Sequence, residues 1–145
     1  MPKRSIVLFL AFVTVVLRIA AQEPSYKYDT AGVQLEGTPV RRQVYGPPGY
    51  GETPGKDERA TILVLELLRP ITVEPAFRTV AQNNPTADAF KHVREIQLFI
   101  PRSTDKGVDK MVGKQVVASG VLNEKVAPSD YTDVWMSVKK ISAVR

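Results

Sequence analysis

The chain has 145 residues, of which 43% are hydrophobic and 24% charged, with 11 Pro, 9 Gly and a formal net charge of +5. That is the size and balance of one globular domain of roughly 100–200 residues. The absence of Cys excludes a disulfide scaffold, a thiolate metal site, a cysteine nucleophile and a lipid-modified N-terminal cysteine, and a single histidine, His92, excludes a multi-histidine metal cluster.

Residues 1–21 read as an export signal. Pro2-Lys3-Arg4 is a basic start, Ile6 to Leu17 is apolar apart from Thr14, and Ala20-Ala21 supplies small residues before a cut that would leave Gln22 first. A membrane-spanning helix needs about 20 apolar residues, and Arg18 interrupts this run too early. Export predicts a secreted or periplasmic protein with no membrane attachment after cleavage. Without Lys3, Arg4 and Arg18 the formal charge falls from +5 to +2. The remaining basic pairs, Arg41-Arg42 and Lys139-Lys140, are too scattered for a nucleic-acid footprint and suit solvated strand faces. Asn84-Pro85-Thr86 is no glycosylation acceptor, because Pro occupies its middle position.

Residues 22–31 are polar and are expected to be a disordered lead-in to a single domain over 32–145. Val33 and Leu35 alternate with Gln34 and Glu36, and Val40 to Tyr45 resumes the strand after Gly37-Thr38-Pro39, so a sharp bend or bulge is expected there. The Gly- and Pro-rich stretch from Gly46 to Asp57 is a loop. Thr61 to Leu67 is a second strand, with Ile62, Val64 and Leu67 expected on one side and burial on both faces. Arg69-Pro70 ends or bends it, and Ile71-Thr72-Val73 continues as an edge. Pro75 to Phe90 is an excursion, and Val93 to Ile100 is the third strand.

Ser103 to Met111 has the marks of a short helix: Ser103 as a cap, Asp105 near the positive end, and Val108, Met111 and Val112 on one face, although Gly107 weakens it. Gln115 to Leu122 and Thr132 to Val144 are the last strands, with Val134, Met136 and Val138 alternating in the second. Three strands, a helix and two strands predict a mainly β fold: a five-stranded Greek-key OB-like barrel with one short helix between strands three and four. Closure removes the exposed edges of a small sheet, and about 124 residues suffice for such a core. The alternative is an open β-sandwich.

Several stretches then resemble a family of small secreted bacterial domains of unknown function. They are Val33-x-Leu35-x-Gly37-Thr38, the loop Tyr45-Gly-Pro-Pro-Gly-Tyr50-Gly-Glu52-x-Pro54-x-x-Asp57, Leu67-x-x-Pro70-Ile71, Val93-x-x-Ile96-Gln97-Leu98 and Val112-Gly113-Lys114-x-Val116-x-x-x-Gly120-x-Leu122. The resemblance implies secretion and a barrel-like fold, and it implies no activity. That family often carries Cys where this chain has Thr72, and a histidine pair where it has Ser129-Asp130-Tyr131, so no metal or redox role carries over.

OB barrels bind ligands with the loops between strands one and two and between strands four and five, and with the strand face beside them. Those regions supply Tyr45, Tyr50, Glu52 and Asp57, then Asp130, Tyr131 and Trp135. Tyr and Trp offer stacking area with a polar handle, suited to a sugar ring or a protein hot spot. The plainer alternative is that the prolines stiffen the loop and Tyr50 packs back on the barrel.

A phosphate loop fails on spacing: three residues separate Gly51 from Gly55, five separate Gly49 from Gly55, and Asp57 stands where a hydroxyl is needed. Asp105 and Asp109 form a solvated face rather than a Ca²⁺ loop. His92, ahead of the third strand, is expected to face solvent or cap a loop rather than join Ser129 and Asp130 in a triad. The expectation is a non-enzymatic binding module for a protein or a cell-envelope glycan, without cofactor or metal. The alternative is a carboxylate-dependent hydrolase using Glu52 and Asp57 of the 45–57 loop.

Overall fold

The computed structural model describes residues 22–76 and 89–144. The expected leader over 1–21 and most of the excursion, residues 77–88, lie outside the described residues. Six strands follow in order: β1 Ser25–Lys27, β2 Val33–Tyr45, β3 Arg59–Glu74, β4 Phe90–Phe99, β5 Val116–Glu124 and β6 Val134–Ala143, with a 3-10 turn at Val108–Met111.

β2, β3 and β4 form an antiparallel meander; β4 pairs parallel with β6, β6 antiparallel with β5, and β5 antiparallel with β2. The circuit therefore closes. The molecule is a five-stranded OB-like barrel with β1 added in parallel along β3, and closure excludes the open sandwich.

Closure depends on two glycines. Gly37 pairs with Leu67 of β3 and also with Val116 of β5, so β2 passes from one partner to the other at the bend that Gly37-Thr38-Pro39 predicts. A Cβ there would sit 2.2 Å from the Glu66 carbonyl oxygen. At Gly120, beside the irregularity between β5 and β6, a Cβ would sit 2.1 Å from the Ser137 carbonyl oxygen. Only a residue without a side chain lets the strands approach this closely.

Leu35, Leu65, Ile96, Val116, Leu122, Val134, Met136 and Val138 meet in the barrel interior. The face expected for β3 is corrected. Leu63, Leu65 and Leu67 turn to the core, whereas Val64, though fully buried, belongs to the outer cross-strand row Val40, Val64, Gln97 and Trp135. A run apolar on both faces carries no period to choose between them. Past Pro70 the strand continues, pairing Ile71 and Val73 with β4 and Thr72 to Glu74 with β1.

The lead-in is also corrected: residues 22–31 are ordered by β1, and Tyr28 is buried in the core at 1% exposure. Two tyrosines two residues apart, Tyr26 and Tyr28, supply apolar area that a purely polar segment would lack. The helix expected over Ser103–Met111 shrinks to the 3-10 turn. Gly107 takes a left-handed φ of 92°, so right-handed coiling starts only at Val108. Val108 is nonetheless buried and Met111 packs beside it, so the inward face is the expected one. Among the described residues no helix is long and apolar enough to cross a membrane.

Candidate functional site

The loop from Gly46 to Glu58 closes on itself. Gly46 N–H donates to the Glu58 carbonyl (2.8 Å), Glu58 N–H to Pro47 (2.9 Å) and Tyr50 N–H to Gly46 (2.9 Å). At its centre the Asp57 carboxylate accepts from the N–H groups of Gly49 (2.7 Å), Gly51 (2.8 Å) and Thr53 (3.2 Å), and from the Thr53 hydroxyl (2.8 Å). Gly49 and Gly51 fit this knot for different reasons. A Cβ on Gly49 would meet Thr53 Oγ1 at 2.5 Å, and Gly51 has a φ of 104°. Desolvation pushes the Asp57 carboxyl up, but its bonds from Gly51, Thr53 and Gly49 together outweigh this and hold it below the ordinary carboxylate value.

The loop of residues 125–133 is built on the same device. Asp130 is buried and accepts from Val126 and Ala127 N–H, both at 2.9 Å. Gln97, on the outer side of β4, anchors the loop with both ends of its amide: Nε2 donates to the Ser129 carbonyl (3.3 Å) and Oε1 accepts from Tyr131 N–H (2.8 Å). The Tyr131 hydroxyl donates to the Tyr45 carbonyl at 2.7 Å, so the loop crosses the outer face from β4 to the end of β2. Desolvation and the neighbouring Tyr50 raise the Tyr131 phenol, which keeps its proton for that bond. Arg59 stacks over the Tyr45 ring at 4.0 Å. Trp135, on the outer side of β6, donates from Nε1 to the Glu124 carbonyl (3.0 Å) and meets Phe99 edge-on, with centroids 4.9 Å apart.

A polar groove of about 230 Å³ runs between Phe90–Glu95 of β4 and Tyr131–Asp133 of this loop. Glu95 is held in a two-pronged pair by Arg42 of β2, at 2.8 and 2.6 Å. The bond from Arg42 draws the Glu95 carboxyl down against its partial desolvation, and Glu95 in turn raises the guanidinium. His92 has a left-handed φ of 59°. Its Nδ1 lies 2.5 Å from Glu23 Oε1, while Arg94 donates to its Nε2 from Nε at 3.1 Å and lies 2.9 Å away through a second guanidinium nitrogen. An Nε2 that accepts from Arg94 places the ring proton on Nδ1, donated to Glu23. Glu23 also accepts from His92 N–H and the Thr72 hydroxyl, each at 3.2 Å. The His92 bond is the main cause that lowers the Glu23 carboxyl, against desolvation.

Of the residues singled out from sequence, the structure gathers Tyr45, Tyr50 and Tyr131 at one rim. Asp57 and Asp130 turn inward, where loop donors occupy their carboxylates. Glu52 is exposed on its loop, and Trp135 flanks the rim beside Phe99. Sequence reasoning passed over Lys91, Arg94, Gln97 and Asp133. The available signal was the charged half of β4, Lys91 to Glu95, ahead of an apolar half. His92 is exposed and engaged by Glu23 and Arg94, while Asp130 serves its own loop. Among the described residues no three His, Asp or Glu side chains gather as a metal site.

A second cleft, of about 250 Å³, opens where β2 leaves β3, floored by Leu35, Leu67 and Ile71. It is less polar than the groove, although Glu36 and Arg69 stand at its edge. No family model, no curated protein and no solved structure matches the chain.

Proposed function

We propose that this protein is an exported, non-enzymatic binding module that holds a glycan of the cell envelope in the groove between β4 and loop 125–133. One observation carries the proposal. The Tyr131 phenol, tied to the Tyr45 carbonyl, places an aromatic ring beside a mainly polar strand face that Gln97 holds in register with the loop. A sugar needs this combination of ring surface and convergent polar groups. The region is also the one OB barrels use for ligands. Export rests on the basic-apolar-small pattern of residues 1–21.

The hydrolase alternative needs two working carboxylates. Asp57 is occupied by four donors, which leaves Glu52 without its partner. A protein surface is the remaining alternative occupant, favoured by the exposed Tyr50 at 38% and Val126 at 79% beside the rim.

The test uses residues 22–145 and soluble envelope polysaccharide. Trp135 is the sole Trp and pairs across the strands with Gln97, which anchors loop 125–133, so its emission is the reporter. Saccharide should shift that emission, and Tyr50→Ala and Tyr131→Ala should each weaken binding about tenfold. Equal binding by wild type and both variants overturns the site. Capture of an envelope protein with no saccharide binding overturns the glycan in favour of the protein surface.

A further inference from the structure

We infer that the groove selects an acidic saccharide, one whose sugar carries a carboxylate, and that Arg94 with Lys91 receives the anion. This rests on the glycan proposal above and adds the ligand's charge.

The inference follows from which charges are already committed. Around the groove Arg42 is taken by Glu95 in a two-pronged pair, and Glu23 is taken by His92 and Thr72. Lys91 and Arg94 on β4, and Asp133 on the facing loop, make no such ion pair among the described residues. The open charges therefore sum to one net positive, enough for a single carboxylate. A phosphate dianion would have to lie near Asp133 with too little compensation.

Arg94 is held in an uncommon way. Its hydrogen-bond partner is the lone pair on His92 Nε2, a neutral acceptor, so the guanidinium is oriented but keeps its charge. A guanidinium has five N–H donors, and the contacts with His92 use at most two. The rest suit the two oxygens of a carboxylate, which matches this planar fork better than it matches a point charge. Glu23 and His92 are positioning residues. By accepting the Nδ1 proton Glu23 holds the imidazole in the tautomer that offers Nε2 to Arg94.

His92 keeps a left-handed backbone, φ 59°, that a side-chain-bearing residue rarely adopts, and its own N–H is tied to Glu23 in that conformation. Strain of this kind is retained where surrounding contacts over-determine it. Across the groove the Tyr131 ring offers a face for the sugar, and Asp133 can accept from hydroxyls.

The experiment titrates residues 22–145 calorimetrically with tri-galacturonic acid and with its methyl ester, the same sugar without the charge. The acid should bind at least about tenfold tighter than the ester, and added salt should narrow the gap. Arg94→Gln, at an exposed position, should cost the acid far more than the ester and so close most of the gap between them. Glu23→Gln should shrink the acid–ester difference without altering ester binding, an effect that lost folding could not produce.

Equal binding of acid and ester by the wild type overturns the charge inference and leaves the glycan proposal standing. Binding of neither overturns both. An acid preference that survives Arg94→Gln overturns the assignment to Arg94, and full competition by inorganic phosphate at the acid's concentration overturns selection for a carboxylate.

Discussion

Loop 46–58, at the start of β3, and the charged half of β4, Lys91 to Glu95, use charged side chains in opposite ways. In the loop, Asp57 is surrounded by four donors from its own segment, so its charge shapes the chain and offers little outward. On β4, Arg94 is oriented by a neutral imidazole, so its charge is fixed in place and still available. A carboxylate among glycines in a loop thus resembles a catalytic group in sequence while serving as a structural one.

That contrast can be broken at four places, in falling order of effect. Gly37→Ala disrupts both regions, because its Cβ would meet the Glu66 carbonyl at 2.2 Å and backbone cannot swing aside. A loss of about 3 kcal/mol in chemical denaturation is expected, and a change under about 0.5 kcal/mol would show that the barrel closes without this close approach. Gln97→Leu keeps the volume but leaves Tyr131 N–H and the Ser129 carbonyl without their partner. It should cost about 2 kcal/mol and speed amide exchange at Tyr131, and unchanged exchange there would detach the loop from β4.

Asp57→Asn comes third, and its signature is in pH. The folded carboxyl lies below its unfolded value, so its stabilisation is complete above the ordinary carboxylate range and is lost as pH falls through the folded value, below about pH 4. The variant should melt lower than wild type at neutral pH and show a smaller acid-induced drop in Tm. Glu52→Ala, at an exposed position, should match the wild-type Tm at neutral pH. Identical acid profiles for wild type and Asp57→Asn would refute the structural role.

Arg42→Met is the mildest change. Its pair with Glu95 is geometrically good but more than a third exposed, so about 0.5 kcal/mol is expected, shrinking as salt rises. A salt-independent loss would mean that the arginine stem, rather than its charge, covers Val64.

The fold was more legible than the site. β2, β5 and β6 alternate cleanly because one face of each meets the core, and Gly37 marks the bend that lets β2 serve two neighbours. β3 misled on its facing because it is buried on both sides, and the helix misled because the left-handed Gly107 lets right-handed coiling begin only at Val108. Tyr45, Tyr50 and Tyr131 were recognisable as a rim because the fold class itself brings those two loops together.

Sequence by itself determined the mainly β character, the order of the five barrel strands and the two loops of the rim, since periodicity and turn residues are local properties that a chain carries before it folds. β1 and the closure of the sheet came only with the tertiary structure. Only the tertiary structure decided which charges face outward. Glu23 and His92 are 69 positions apart, Arg42 and Glu95 53, and Gln97 and Tyr131 34. A charge is spent or left open according to what packing brings within hydrogen-bonding reach, and partners so distant along the chain leave no local pattern.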